Sequence, residues 1–202
     1  MTDKYAGRKG DWIQLRSSER FYPLDPRPEE VKIEDIAHSL SNICRFTGHS
    51  SSFYSVAQHS VLVSQLAPNK EQALWFLLHD APEAYISDIN RTIKKFLYVN
   101  LQDDYYEHVE IVEKRLMKCI ATALNLPPNP DWKAIKVADN RLLATEARDL
   151  MTLNTDVWGK WIENVEMLPD PIIPCYPKLA KSMFLERYNE LKNEVLLPAI
   201  VS

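Results

Sequence analysis

Glycine is scarce in this chain, with four residues in 202. That scarcity argues against a turn-dense β-protein. Neither G-x-G-x-x-G nor G-x-x-x-x-G-K-[ST] occurs, which excludes a phosphate cradle built from bare backbone amides. Cysteine is nearly as rare. Cys44, Cys119 and Cys175 are too few and too scattered for a disulfide framework or a C-x-x-C metal site, so a reducing compartment, the cytoplasm, is expected. No excess of positive charge exists: 24 Lys and Arg stand against 28 Asp and Glu, a net charge of −4. A nucleic-acid polymer as partner is therefore disfavoured. Long apolar runs are missing too. The stretch Ala73-Leu74-Trp75-Phe76-Leu77-Leu78 falls far short of the ~20 residues that span a bilayer, so no membrane partner is expected. Met1-Thr2-Asp3-Lys4 leads into no apolar signal core. Internal repeats, low-complexity runs and Gly/Ser linkers are absent as well.

What is present is globular: 46% apolar and 26% charged residues, enough for one ordinary domain. Thirteen prolines provide the punctuation. Residues 1–32 read as an extended entry segment ending in Asp25-Pro26-Arg27-Pro28. In it, Trp12 to Leu15 and Phe21-Tyr22 flank Ser17-Ser18-Glu19-Arg20 as a small hairpin. From residue 33 the period becomes helical, and residues 33–202 read as a single helical domain. Ile33, Ile36, Ala37, Leu40 and Ile43 mark the first helix. Ser55 with Gln58 forms a capping-box pattern before a helix carrying His59, Leu62, Val63 and Leu66 inward. Asn69 with Gln72 opens the next helix, Lys70 to about Asp80. It is apolar almost all round and so belongs at the centre, and Pro82 ends or kinks it.

A longer helix is predicted from about Asp104 to Asn125, with Val109, Val112, Leu116, Cys119, Ile120 and Ala123 inward. Asp131 caps a helix through Ile135, Ala138, Leu142 and Leu150. After the proline-rich stretch 169–177, Ala180, Phe184, Tyr188, Leu191 and Val195 make a last stripe. The class is all-α, with six or seven helices.

Five histidines can be weighed singly. His108, among Tyr106, Glu107 and Glu110, reads as a solvated surface residue, and His38, one position off its helix's stripe, as structural. His59 and His79 fall on faces otherwise given to large apolar residues, and Asp80 follows the second directly. An ionised Asp in such surroundings costs several kcal/mol (roughly) unless a cation or strong donors compensate it. A divalent ion compensates all three, and imidazole with carboxylate suits Zn, Mn, Co, Ni or Fe(II). Glu83 and Asp88 follow within ten residues of His79. Asp139 lies beside the inward stripe of its helix and either closes a coordination shell or pairs with a nearby base at the surface. Of the aromatics near Arg45, namely Phe46, Phe53, Tyr54 and Trp75, each is a candidate to stack a nucleobase or a core residue. Cys44 beside Arg45 reads as core.

The ordered set Arg45, His59, His79-Asp80, Glu83, Asp88 and Asp139 resembles the HD-domain metal-dependent phosphohydrolases. Asp35-Ile36-Ala37-His38, Asn42 to Phe46, Gly48-His49 and Tyr54 to Ser60 are similar to the front half of one branch of them, the small bacterial 5′-deoxynucleotidases and the phage deoxynucleoside triphosphate triphosphohydrolases, the dATP-specific type included. The likeness covers about residues 10 to 150. It implies an HD-type helical bundle and one transition metal ion (Co²⁺, Mn²⁺, Zn²⁺ or Fe²⁺) on His59, His79, Asp80 and Asp139. A second ion such as Mg²⁺ is possible near Glu83 and Asp88. Glu83 becomes the general base, Asp88 a substrate or second-metal contact and Arg45 the phosphate clamp. Phe46, Lys94 (or Lys95) and Lys136 become further substrate contacts.

The expected reaction is release of triphosphate from a dNTP, with hydrolysis of a dNMP as the alternative and a non-enzymatic helical module with a structural metal as the remote one. A homo-oligomer is expected. The H-H-E-x-x-x-G-x-G-Y-P signature of cyclic-dinucleotide hydrolases is absent, because Ala-Tyr-Ile-Ser-Asp follows Glu83. A di-iron oxygenase wants additional inward histidines between the HD pair and Asp139, where only His108 stands.

Overall fold

The computed structural model describes residues 5–102, 105–152 and 154–196. The chain is mostly helical, with two small antiparallel hairpins among the described residues. Strands β1 (Ile13–Gln14) and β2 (Arg20–Phe21) lead into α1 (Ile33–Asn42), α2 (Val56–Gln65) and α3 (Lys70–Leu78). Two single turns, α4 (Glu83–Ile86) and α5 (Arg91–Lys94), precede a hairpin of β3 (Tyr98–Gln102) and β4 (Tyr105–His108). Helices α6 (Val109–Ala123) and α7 (Trp132–Leu150), a short α8 (Thr155–Trp158) and α9 (Pro177–Leu196) complete the order. No helix among the described residues is long and apolar enough to cross a membrane.

Helix starts follow local side-chain chemistry. Ser55 accepts from the Gln58 backbone N–H, Asn69 from Gln72 and Asp131 from Ala134, each meeting one of a helix's unpaired N-terminal donors. The glutamines do not close reciprocal capping boxes. Gln58 instead donates to the Ile173 carbonyl (2.8 Å) and accepts from the Cys175 N–H (2.9 Å). Gln72 donates to the Asn129 carbonyl (3.1 Å) and accepts from the Asp131 N–H (2.9 Å). Both proline-rich loops are thereby fastened to the starts of α2 and α3.

Helix α3 is central, packed against α2 and α9, and all six residues Ala73 to Leu78 are buried. The stripes of α1, α6, α7 and α9 join the same core with Ile36, Leu40, Leu116, Ile120, Leu142 and Phe184, each fully buried. The side chain of Val195, expected in the last stripe, lies outside the described residues. The entry segment joins the same core: Leu15 and Phe21 pack into it, and Phe21 stacks on Tyr85 with ring centroids 3.9 Å apart. Asp35 ties the first hairpin to α1 by accepting from the Ser17 N–H (2.8 Å) and hydroxyl (2.7 Å).

Three local expectations need correction. Asp104, the predicted helix start, lies outside the described residues, and α6 begins only at Val109. Before it, Tyr105 to His108 pair with β3, because aromatic and β-branched residues favour a pleated surface over a helical one. His108 is not a free surface residue: its Nδ1 accepts from the Glu110 N–H as the cap of α6, and its Nε2 lies 3.1 Å from the Lys95 carbonyl. Cys44 is half-buried in a lone bridge with Ser55, outside the core cluster.

Candidate metal centre

Helix α3 ends at Leu78, and His79, Asp80 and Ala81 form the turn that Pro82 converts into α4. The turn aims His79 and Asp80 at His59 on α2. One ring nitrogen each of His59 and His79 and a carboxylate oxygen of Asp80 lie within 4.8 Å of one another. His59 Nε2 stands 3.6 Å from Asp80 Oδ2, and His79 Nε2 stands 3.1 Å from the same oxygen. Asp139, from the middle of α7, brings Oδ1 to 3.4 Å from His59 Nε2, while Lys136 holds its Oδ2 at 2.7 Å.

The opposite nitrogens explain the orientation. His79 Nδ1 donates to the Phe76 carbonyl (2.7 Å), and His59 Nδ1 donates to Glu146 Oε1 (2.6 Å). Each ring thus carries its proton on Nδ1, and each Nε2 is buried without a hydrogen-bond partner among the described residues. Two lone pairs facing carboxylate oxygens repel unless a positive centre stands between them. With no ion, that centre is a proton. Burial and the charge of Arg45 oppose it, yet Glu146 and Asp139 lift the His59 pKa to about 9. Burial also opposes ionisation of Asp80 and Asp139, but the two imidazoles hold both well below the usual carboxylate range. A divalent cation satisfies the same donors, and rings fixed through their far nitrogens are how proteins present histidine to metal.

Glu146 has no place in the sequence-level site, and it organises this one. It is fully buried on α7; Oε1 takes His59, and Oε2 accepts from Arg45 Nη2 at 3.1 Å. The sequence signal for it is spacing. Glu146 lies seven residues, two helical turns, beyond Asp139 and so on the same face.

Arg45 Nη1 lies 3.8 Å from Asp80 Oδ2, and its buried Nε has no hydrogen-bond partner among the described residues. Immediately after it the backbone turns left-handed at Phe46 (φ 57°) and Thr47 (φ 54°). Ser87 (φ 70°, ψ 163°), just before Asp88, adopts a conformation that is nearly glycine-only. Strain of this kind persists where surrounding structure holds side chains in place.

These groups line a cleft of about 1110 Å³. Arg45, Phe46, His79, Asp80, Glu83, Asp88, Lys94, Lys136 and Asp139 all reach it, whereas His59 lies behind them at zero exposure. Glu83 is buried with Oε2 unpartnered among the described residues. Burial, then the charges of Asp80 and Asp88, push its pKa well above the ordinary value. Burial likewise raises Asp88. The lysines are already engaged: Lys94 pairs with Glu113 (2.7 Å) and Lys136 with Asp139. Lys95 does not line the cleft and sits over the Phe96 ring at 4.8 Å. Of the other aromatics, Trp75 lines the cleft, Tyr54 is fully buried in the core and Phe53, half-exposed, does not face the cleft. His38 lies apart, beside a smaller hollow under the first hairpin.

No family model matches the chain. It is 42% identical over 182 residues to the uncharacterized protein YfdR of Escherichia coli (strain K12), covering 89% of this chain and 95% of that protein. A second relative, the uncharacterized protein RCAP_rcc00048 of Rhodobacter capsulatus, is 33% identical over 183 residues, covering 82% of this chain and 84% of its own length.

Proposed function

This chain belongs to the YfdR family, and we propose that it is a divalent-metal-dependent phosphohydrolase of deoxynucleotides with an HD-type helical fold. The carrying observation is the pair of buried imidazoles whose Nδ1 protons are tied down and whose Nε2 atoms converge on Asp80. His59, His79, Asp80 and Asp139 hold the ion, with Co²⁺, Mn²⁺, Zn²⁺ and Fe²⁺ the suitable class. Once bound, it supplies Lewis-acid polarisation of a phosphoryl oxygen and a nucleophilic water at neutral pH. Arg45 offers its unpartnered Nε–H to a phosphate oxygen while Nη2 stays on Glu146. Glu83 presents a buried carboxylate oxygen to take the water's proton. Asp88 stands beside it on the cleft wall, as a substrate contact or, with Glu83, a second-ion contact. A structural metal site is normally closed and has no use for a cleft of this size with Arg45 and Glu83 on its wall.

Release of triphosphate from a dNTP is the leading reaction, supported by Arg91, Lys94 and Lys114, which line the same cleft as Arg45. The pairing of Lys94 and Lys136 with carboxylates favours the second reading, hydrolysis of a dNMP, because less net positive charge remains. A panel of dNMPs, dNTPs and ribonucleotides with Co²⁺, Mn²⁺, Mg²⁺ and Zn²⁺, read for Pi, PPi and PPPi, decides between them. PPPi supports the first. Pi from a dNMP with dNTPs untouched supports the second. With metal bound and no phosphate released from any nucleotide, both fail. Arg45→Lys keeps the charge but loses the planar fork, and is expected to lower turnover while the fold survives.

The protein is proposed to act as a homo-oligomer in the cytoplasm. Ile93, Phe96, Tyr98, Tyr105, Tyr106 and Ile111 are each about half exposed or more, on α5, the turn after it, the second hairpin and α6. Their exposed areas sum to on the order of 600 Å², against ~800 Å² per partner in a standard interface. A second copy of this chain is the proposed occupant over these side chains.

A further inference from the structure

The cleft continues past the metal-ligating groups to an aromatic end that the proposed chemistry leaves unused. On α7 the residues reaching the cleft are Trp132, Lys136, Asp139 and Leu143, a stripe at helical spacing. On α3, Trp75 precedes His79 by one turn, and both line the cleft. At 1.5 Å per residue, Trp132 lies about 10 Å along α7 from Asp139, and Trp75 about 6 Å along α3 from His79. Both helices thus run from the ligating groups towards the same aromatic corner.

There the two indoles meet edge to face, with ring centroids 5.7 Å apart and an interplanar angle of 69°. Trp75 is 7% exposed, whereas Trp132 is 49% exposed and opens α7. Such a pair makes an L-shaped wall, and Met117 and Pro130 line the cleft with it. The corner is rigid. Trp75 donates its ring N–H to the Pro127 carbonyl (2.8 Å), and Gln72 clamps the turn at Asn129 and Asp131. A large ring left half bare beside a cleft wide enough for a nucleotide is the feature to explain.

We propose that the Trp75–Trp132 corner is a nucleobase subsite, on which an aromatic heterocycle stacks while its phosphate lies at the His79–Asp80 end. The proposal rests on the nucleotide reading above and assigns the direction in which the substrate lies. The corner's fixed polar groups are already engaged, the Trp75 N–H by Pro127 and both ends of Gln72 by the turn. Stacking accepts any base, because every base has a π face. Edge-reading sites reject wrong partners by 10⁴-fold or more (roughly), and stacking sites by far less. The four common bases are therefore expected within about tenfold of one another in kcat/KM.

The test uses the full chain with its metal, the variants Trp132→Ala and Trp132→Phe, and two kinds of probe. With a hydrolysed nucleotide, Trp132→Ala is expected to raise KM about tenfold or more with kcat little changed, and Trp132→Phe to restore most of it. Turnover of the baseless counterpart of that nucleotide (2-deoxyribose 5-triphosphate for a dNTP, 2-deoxyribose 5-phosphate for a dNMP) is expected to be unaffected. An unchanged nucleotide KM, an equal loss on the baseless ester, or a preference for one base beyond a thousandfold overturns the proposal. Equilibrium dialysis of deoxyadenosine separates this from failure of the proposed reaction. Binding that Trp132→Ala weakens about tenfold upholds the corner even if no nucleotide is hydrolysed. Absence of binding, or binding indifferent to the substitution, overturns it.

Discussion

Replacing Glu146 with Gln changes one atom and removes the charge that aligns His59 and Arg45. The amide fits the same volume, so the core is not opened. What changes is the proton. The carboxylate accepts only, so His59 Nδ1 must donate and Nε2 is left with its lone pair. A glutamine amide can instead donate to Nδ1, placing the ring proton on Nε2, where a cation has to bind. Loss of such an orienting partner weakens metal about 10- to 100-fold. Metal at a hundredfold excess over Kd stabilises the wild-type fold by ~2.7 kcal/mol. At the same concentration the variant is expected to gain only ~1.4 kcal/mol if binding weakens tenfold, and ~0.4 kcal/mol if hundredfold. Thermal melts of both proteins with and without Co²⁺ or Zn²⁺ read this directly, and competition with a chromogenic chelator gives Kd independently. The metal-free melt of the variant separates loss of fold from loss of binding. If Glu146→Gln binds metal within about twofold of wild type, Glu146 does not set the His59 tautomer, and the account of the centre is wrong.

Ser87 stands in a glycine-only region beside the cleft, so Ser87→Gly relieves strain and is expected to stabilise the fold by about 1 kcal/mol net of glycine's entropy cost; urea unfolding measures it, and a loss of stability refutes the strain. Asp149 accepts from Arg148 (2.6 Å) and from the Ile172 N–H (2.8 Å), and these bonds hold its pKa below the ordinary value. Because the folded pKa is depressed, this stabilisation is full above the unfolded pKa of about 4 and is lost as pH falls through the folded value. Asp149→Asn is thus expected to cost about 1 kcal/mol at pH 7 and nothing in strong acid; a cost that persists at low pH counts against it. On the outer hairpin, Phe96→Glu combined with Tyr106→Glu is expected to convert an oligomer to monomer in sedimentation velocity, and a monomeric wild type removes the interface.

The helices were legible where their signals are local. Ser55, Asn69 and Asp131 mark three starts because a cap needs only a side-chain oxygen and an amide three residues on. The six-residue apolar run of α3 announced its place at the centre for a similar reason, since no face is left for water. His59, His79 and Asp80 stood out as polar groups on apolar faces. Glu146 did not, although it too is polar among apolar neighbours, because nothing near it in sequence hints at histidine and arginine partners 87 and 101 residues away. The second hairpin was hidden differently. Its strands carry tyrosines that suit either state, and the residues between them show no Asn-Gly or Gly-Gly turn. Lys94 and Lys136 were legible as cations near the cleft, but their partners Glu113 and Asp139 depend on packing between helices and on rotamer choice.

The fastening of residues 173–175 to Gln58 bears on how this protein can be cut, joined or rearranged. Residues 169–177 have the proline content and exposure of a spacer, the kind of segment chosen for inserting a reporter or opening new termini. Yet the backbone at Ile173 and Cys175 is held by the residue that directly precedes His59 on α2, and Asp149 holds Ile172 from the helix that carries Glu146. A fusion or circular permutation placed there would pull on both helices that present the histidine and its carboxylate. The segment is a strap between α7 and the core helix α9, and engineered breaks do not belong in it.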